Sequence, residues 1–297
     1  MTSVANQAPV ALDLDHVGVA VRRLDAGRDA LLRLGFRLTP RSQHRGARTP
    51  GGPVEEWGSA NHCAMLRQGY IELAGLTDPS KFSNVRSLVE KYEGTHIVAL
   101  EPKTAEAAHA ELTARGVPVD APRDLERMAA YGPDERDSRR VAFRNLYLAP
   151  SAFTEARLIY TEHLTRDVMW QPHLMEHANG ALRLRDLFLC APEPEVTAKK
   201  LAPAFGVDPA ATADGEHVLR FANSAVRVLS PAAWSKWAPG AKLPPLPAPV
   251  GLGLQVASWG ATQDFFRRQD FSVNACPTGG IWIGPDQACG TVMHFSE

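Results

Sequence analysis

Two histidines and two glutamates stand in short apolar runs, where their side chains could do chemistry. His16 lies in the run LDLDHVGVAV and His96 in THIVAL, while Glu72 lies in YIELAG and Glu162 in YTEH. Two imidazoles and two carboxylates form a donor set that suits Zn, Ni, Co, Mn or Fe(II). Carboxylates can also move protons as general acids or bases. Taken singly, His16 is better explained as a half-buried strand histidine, and Glu72 as a solvated carboxylate if it faces water.

The alternation of side chains along a strand restricts which of these groups can share a site. Tyr70 and Glu72 fall on one face of their strand, as do Tyr160 and Glu162. His163 is adjacent to Glu162, so only one of the two can face the same site. Glu162 lies on the same face as Tyr160, which favours Glu162 as the site residue and leaves His163 as the alternative.

A repeated unit supplies the elements that would position these residues. Each copy begins with a strand-like run, continues into an amphipathic helix and, in three of the four copies, reaches a glycine that suits the left-handed position after a helix. The four opening runs are LDLDHVGVAV, THIVAL, LRLRDLFLC and VGLGLQVAS. The predicted helices span residues 24–34, 104–115, 195–205 and 261–269.

Further strand-like runs follow each helix, at residues 60–66, 70–74, 141–148, 157–163, 218–222, 225–229, 280–284 and 291–295. One strand of each unit is not visible, and a generic α+β arrangement would explain the alternation equally well. The proline-rich stretch 231–249 is predicted to be a loop or linker, because proline cannot continue a helix or a central strand.

Several runs resemble the vicinal-oxygen-chelate superfamily and its glyoxalase-like domain, which includes glyoxalase, bleomycin-resistance and extradiol dioxygenase proteins. They are LDHVGVAVRRLDAGRDALLRLGF, GSANHCAMLRQGYIELAGL, THIVAL, YTEH and HANGA. The resemblance covers residues 10–181, whereas residues 182–297 match only in the pattern of repeats.

The resemblance implies an α+β fold of four βαβββ modules paired into two glyoxalase-like domains, at residues 10–176 and 180–297. It also implies that the first and fourth strands of a module supply metal ligands. Carried over to this sequence, the ligands of a divalent metal are His16, Glu72, His96 and Glu162. Glu72 and Glu162 are then also the expected catalytic carboxylates.

The C-terminal half lacks an equivalent donor set. Asp186 stands at the position that matches His16, Arg227 at the one that matches Glu72, and Gly253 in the first strand of the fourth module. We expect Asp186 and Arg227 to form an ion pair or to have separate surface roles, and the second domain to be degenerate.

The resemblance predicts a metal-dependent isomerase or lyase that acts on a small molecule with vicinal oxygens. Two alternatives remain: an extradiol-type ring-cleaving dioxygenase, and a non-catalytic protein of the same fold that binds drugs or metabolites. Arg144 is a candidate substrate-anchoring cation, although a surface ion pair is the commoner role. His44 is a candidate loop contact to substrate, although a histidine on such a loop is more often exposed to solvent.

Composition limits the remaining possibilities. The formal net charge of -1 and the absence of a long basic run disfavour nucleic acid and anionic membranes as partners. No apolar stretch approaches the roughly 18 residues needed to span a bilayer, and the first 15 residues do not resemble a signal peptide. The four cysteines form no CxxC pair, so we expect reduced thiols in a cytoplasmic protein, with a homodimer left open.

Overall fold

The computed structural model describes residues 10–49, 52–269 and 271–297, which form two eight-stranded mixed sheets. The first sheet contains β1 (Ala11–Val21), β2 (Ser42–Gly46), β3 (Glu55–Met65), β4 (Tyr70–Leu76), β5 (Gly94–Pro102), β6 (Arg123–Tyr131), β7 (Asp137–Tyr147) and β8 (Arg157–His163). Its strand order is β2-β3-β4-β1-β5-β8-β7-β6.

The second sheet repeats the same order eight strands later, as β10-β11-β12-β9-β13-β16-β15-β14. Its strands are β9 (Ala181–Cys190), β10 (Ala210–Ala211), β11 (His217–Arg220), β12 (Ala225–Leu229), β13 (Ala248–Val256), β14 (Val273–Ala275), β15 (Ile281–Ile283) and β16 (Val292–Ser296).

The helices are α1 (Leu24–Arg33), α2 (Arg86–Val89), α3 (Ala105–Ala114), α4 (Arg166–Met169), α5 (Pro194–Phe205), α6 (Pro231–Trp234) and α7 (Trp259–Arg268). A 3₁₀ helix spans Pro172–Met175. Of these, α1, α3, α5 and α7 follow the first strand of a module, so each of four modules has the order βαβββ and the predicted fold is confirmed. Gly206 ends α5 with a φ of 70°, the left-handed conformation predicted for this position. Among the described residues, no helix is long and apolar enough to cross a membrane.

The strand that the sequence does not reveal is the second strand of each module. In the first sheet these are the edge strands β2 and β6, whose residues are mostly exposed or half-buried. In the second sheet they are β10 and β14, of two and three residues. Because these strands have little apolar surface to bury, they carry no hydrophobic alternation.

The proline-rich stretch is more structured than predicted. Pro231 begins α6, where a missing N–H costs nothing because the first turn has no acceptor for it. Pro249 lies in the central strand β13, opposite Leu189. The prediction of a loop over the whole stretch is therefore wrong. Pro249 is accommodated because the β13–β9 register shifts between Pro249 and Gly251, which interrupts the ladder there.

The two sheets share one apolar core. A single cluster of buried side chains includes Val17 of β1, Leu31 of α1, Leu187 of β9 and Phe266 of α7. Polar bonds also cross between the sheets: Asp13 accepts bonds from the backbone N–H and the side chain of Asn223 and from the hydroxyl of Ser224. The other face of the first sheet curves into a cup that contains the candidate site.

Candidate functional site

His16 and Glu72 meet inside the cup of the first sheet. β1 and β4 run parallel, with His16 beside Tyr70 and Gly18 beside Glu72, so His16 and Glu72 point to the same face. The Nε2 atom of His16 lies 3.9 Å from Oε2 of Glu72. The imidazole is 5% exposed and the carboxylate 18%, so the pair is shielded from bulk water but reachable through Glu72.

Asp15 fixes the orientation of His16. Its Oδ1 atom lies 2.5 Å from Nδ1 of His16, and its Oδ2 atom lies 2.9 Å from Nε2 of His163. A carboxylate beside Nδ1 favours the tautomer with the proton on that nitrogen, which leaves the Nε2 lone pair of a neutral His16 facing Glu72. Burial alone would raise the pKa of Asp15, but the charge of His163 and hydrogen bonds with both imidazoles hold it well below its ordinary value.

Polar and aromatic neighbours position the other side of the pair. Asn61 of β3 donates a hydrogen bond of 2.5 Å from its Nδ2 atom to Oε1 of Glu72. The ring of Tyr70 stacks on His16, with centroids 4.3 Å apart. Cys63 is the β3 partner of Glu72, and burial together with the negative charge of Glu72 raises the pKa of its thiol to about 12. This thiol therefore stays protonated near neutral pH.

His96 is held away from the pair. Its Nε2 atom lies 2.9 Å from the carbonyl oxygen of Tyr92, and the two rings stack with centroids 3.9 Å apart. Gly18 pairs with Ile97 but the next residue, Val19, pairs with Thr95, so His96 is the extra residue of a β-bulge. Burial lowers the pKa of His96. These contacts give His96 a structural environment near the end of α2.

Glu162 lies on the opposite face of its strand from the cup. Its Oε2 atom accepts a 2.7 Å hydrogen bond from the backbone N–H of Ala105, the first residue of α3. Glu162 shares a face with Tyr160, as strand alternation predicts, but Tyr160 is not equivalent to Tyr70: Tyr160 faces the core and donates to the carbonyl of Ala204. His163, the alternative, is the residue that faces the cup.

The donor set does not fit the expected four-ligand metal ion. Of the predicted ligands, the structure brings His16 and Glu72 together and keeps His96 and Glu162 apart from them. Within residues 10–49, 52–269 and 271–297, no group of three or more His, Cys, Asp or Glu side chains is arranged to hold a metal ion. A catalytic zinc site ordinarily uses about three protein ligands.

Arg144, for which substrate anchoring was one candidate role, points away from the cup. Its guanidinium bonds both carboxylate oxygens of Asp124 and also contacts Glu106. It therefore has the commoner role of a surface ion pair. His44, by contrast, turns inward: its Nδ1 atom lies 2.9 Å from the hydroxyl of Ser59, and burial lowers its pKa.

The C-terminal sheet contains an ion-pair network at the equivalent positions. Arg227 Nε lies 2.7 Å from Oδ1 of Asp186, and its Nη1 atom lies 2.8 Å from Oε2 of Glu216. Arg185 binds the other oxygen of Asp186 at 2.8 Å. The predicted Asp186–Arg227 ion pair is confirmed. Gly253, beside Asp186 and His294, contributes no donor.

Sequence analysis did not identify Asp15 and Asn61 as site residues. Asp15 precedes His16, and strict alternation would put it on the other face, but the β1–β5 register shifts between Leu14 and His16. Asn61 lies within the GSANHC run that carries the resemblance, and its position two residues before Cys63 was a usable signal.

Comparison with known proteins gives the family. A model of the glyoxalase-like domain matches residues 14–205, more than half of the chain. The chain therefore belongs to the glyoxalase-like domain family, within the vicinal-oxygen-chelate superfamily. No curated protein sequence matches it.

Solved structures share the architecture at low identity. A hypothetical protein from Staphylococcus aureus has a TM-score of 0.60 at 15% identity, with 95% of this chain and 98% of that one covered. A variant of 4-hydroxymandelate synthase from Streptomyces coelicolor has a TM-score of 0.59 at 9% identity, with 96% of this chain and 92% of that one covered. A variant of homoprotocatechuate 2,3-dioxygenase from B. fuscum has a TM-score of 0.52 at 11% identity, with 100% of this chain and 73% of that one covered. At these identities the likeness establishes the fold alone.

Proposed function

We propose that the protein is a small-molecule enzyme of the glyoxalase-like type, which moves a proton on a substrate with vicinal oxygens in an isomerase, epimerase or lyase reaction. The observation that carries this proposal is the shielded pair of His16 and Glu72, 3.9 Å apart and each held by a neighbouring side chain. Buried groups that can exchange protons within reach of one small molecule are the basic requirement of general acid–base catalysis.

The two groups have different roles in this proposal. The Glu72 carboxylate removes a proton from the carbon that bears one oxygen, and the electron pair moves to the adjacent carbonyl oxygen. The Nε2 lone pair of His16 accepts a hydrogen bond from the substrate hydroxyl. Asp15 is a positioning residue, because it keeps the proton of a neutral His16 on Nδ1. In an isomerisation, the substrate hydroxyl proton passes through Nε2 of His16 to the enolate oxygen, and Glu72 returns its proton to the carbon that carried this oxygen. In an epimerisation, a solvent proton reaches the opposite face of the original carbon and Glu72 releases its own proton to solvent. In a lyase reaction, the electron pair forms a double bond as a leaving group departs from the adjacent carbon and takes up the proton held by Glu72.

The divalent metal that the resemblance implies is not used in this proposal, because the donor geometry supplies two ligands where the prediction had four. Metal dependence is instead measured in the test below. Nor do the C-terminal residues favour a ring-cleaving dioxygenase, since Asp186 and Arg227 neutralise each other.

Deuterium exchange tests the proposal without knowledge of the full reaction. Small 2-hydroxyketones, 2-hydroxyaldehydes and 3-hydroxy-2-oxo acids are incubated with the protein in D₂O, with and without EDTA, and loss of C–H signal is followed by ¹H NMR. We expect wild type to catalyse exchange in at least one compound, and His16→Asn to lower the rate by about 100-fold or more.

His96→Asn is the matched control and should exchange at the wild-type rate. Binding without exchange in every compound would contradict the enzyme proposal and favour the non-catalytic alternative. An equal loss of deuterium exchange in His16→Asn and His96→Asn, together with loss of exchange in EDTA, would instead support the predicted metal site.

A further inference from the structure

Arg127 of β6 is an arginine of the first sheet whose side chain faces the cup. In the β6–β7 hairpin it pairs with Val141, which is fully buried against Cys63 and Tyr70. Its neighbours point outward: Glu126 pairs with Arg140, and the side chain of Met128 is largely exposed. Arg127 itself is half-buried.

The guanidinium of Arg127 lies near the candidate pair. Its Nη2 atom is 3.8 Å from Sδ of Met169, and Met169 packs in one cluster with Cys63 and Tyr70. β6 and β3 lie near opposite ends of the strand order, so this proximity is produced by the curvature of the sheet. The charge of Arg127 lowers the pKa of Cys63 against the larger opposing effects of burial and Glu72, so both charges act on the same enclosed space.

No carboxylate neutralises Arg127 within the part of the chain that the structure describes. In the same hairpin, Arg140 binds Glu126 and Arg144 binds Asp124, whereas the exposed Arg139 stacks on the ring of Tyr131. Desolvating a guanidinium without a counter-ion costs free energy, and a bound oxyanion would offset that cost. The planar fork of donors in arginine matches a carboxylate by two parallel hydrogen bonds.

We propose that Arg127 binds the carboxylate of the substrate, which is therefore a small organic acid. This inference rests on the proposed function, since it places the reacting carbon at His16 and Glu72 and the acid group across the cup from them. Arg127 then determines specificity by charge and takes no part in the proton transfer.

Direct observation of the Arg127 side chain tests the anchor in the wild-type protein. Protein labelled with ¹⁵N-arginine is titrated with pyruvate, with neutral hydroxyacetone and with inorganic phosphate at constant ionic strength, and the Nε–Hε signals are followed. The Arg127 signal is assigned by its absence in Arg127→Met. We expect pyruvate to shift this signal saturably and hydroxyacetone to leave it unchanged. A shift of the Arg127 signal with phosphate but not with pyruvate, or no shift with pyruvate, would overturn the proposal.

Affinity measurements supply the matched comparison. Arg127→Met should weaken pyruvate binding by about tenfold or more, the loss expected when one charged hydrogen-bonding partner is removed. Arg127→Lys should lie between, because it keeps the charge and loses the fork. Arg144→Met, which removes a guanidinium on the outer face, should bind pyruvate as wild type does. Equal affinity in Arg127→Met and wild type would contradict the anchor.

The two proposals fail in different ways. If pyruvate shifts the Arg127 signal but no compound exchanges deuterium, the anchor stands and the enzyme proposal fails. If neutral compounds exchange as fast as acids, and Arg127→Met exchanges as fast as wild type, the proton-transfer proposal stands and the anchor is overturned.

Discussion

One buried carboxylate, Asp15, holds two imidazoles on the cup face of the first sheet. It is 2% exposed and contacts both His16 and His163. The sequence places Asp15 next to His16 but does not predict the contact, because it depends on a register shift in β1 that no local pattern encodes. The site was half predictable: the resemblance named His16 and Glu72 together with His96 and Glu162, and only the first two meet in the structure.

Asp15→Asn should lower the free energy of unfolding by about 3 to 5 kcal/mol at pH 7, since it removes the charge from a buried, paired cluster. The pKa of Asp15 is held below its ordinary value of 3.8, so its contribution is present above that pH and is lost as the pH falls below it. Urea unfolding of wild type and variant between pH 7 and pH 3 measures the loss of stability at pH 7 and its dependence on pH. The difference between wild type and variant should shrink below about pH 4, whereas a constant difference would contradict the assigned charge.

Register and bulges decided what could be predicted for each element. The helices α1, α3, α5 and α7 and the first, third and fourth strands of each module follow from periodicity and turn residues, whereas the short helices α2, α4 and α6 do not. His96 lies apart from the pair because a bulge in β5 adds one residue to the strand, and a single residue moves every following side chain to the other face. Glu162 lies apart from it because it shares a face with Tyr160, which packs on the core face. Neither placement could be predicted without the neighbouring strand.

The position of Glu162 predicts a role in helix stability. Glu162→Ala should destabilise the protein by about 1 kcal/mol, because the backbone N–H of Ala105 at the start of α3 loses its acceptor. Thr104→Ala is the matched control, since the Thr104 hydroxyl accepts from Ala107 in the same first turn. Thermal unfolding should show similar losses for both. A loss of deuterium exchange in Glu162→Ala at unchanged stability would show instead that Glu162 belongs to the catalytic site.

At the scale of the whole molecule, the two sheets share one apolar core. Their apolar faces and helices share a single buried cluster, and Asp13 links β1 to Asn223 and Ser224 of the second half. The C-terminal sheet keeps the strand order of the first but fills the equivalent positions with the Asp186–Arg227 ion pair. The repeat was visible in the sequence, whereas the packing between halves was not, because it joins residues about 200 positions apart.

Unfolding should therefore follow one transition for both halves. Circular dichroism and tryptophan fluorescence should give coincident urea curves, the criterion for two-state behaviour. Asp13→Ala should shift both curves together by about 1 to 3 kcal/mol, because it leaves the hydroxyl of the buried Ser224 without its acceptor and removes the bonds to Asn223. Two separated transitions, or a shift in only one of the probes, would show that the halves unfold independently.

The roles of Glu72 and Glu162 can be compared in one experiment. Glu72→Gln and Glu162→Gln are isosteric changes at the two carboxylates that the sequence could not distinguish as site residues. With any compound in which wild type exchanges deuterium, we expect Glu72→Gln to lower the exchange rate by about 100-fold or more and Glu162→Gln to leave it unchanged. Exchange at the wild-type rate in Glu72→Gln, or an equal loss in both variants, would contradict this expectation.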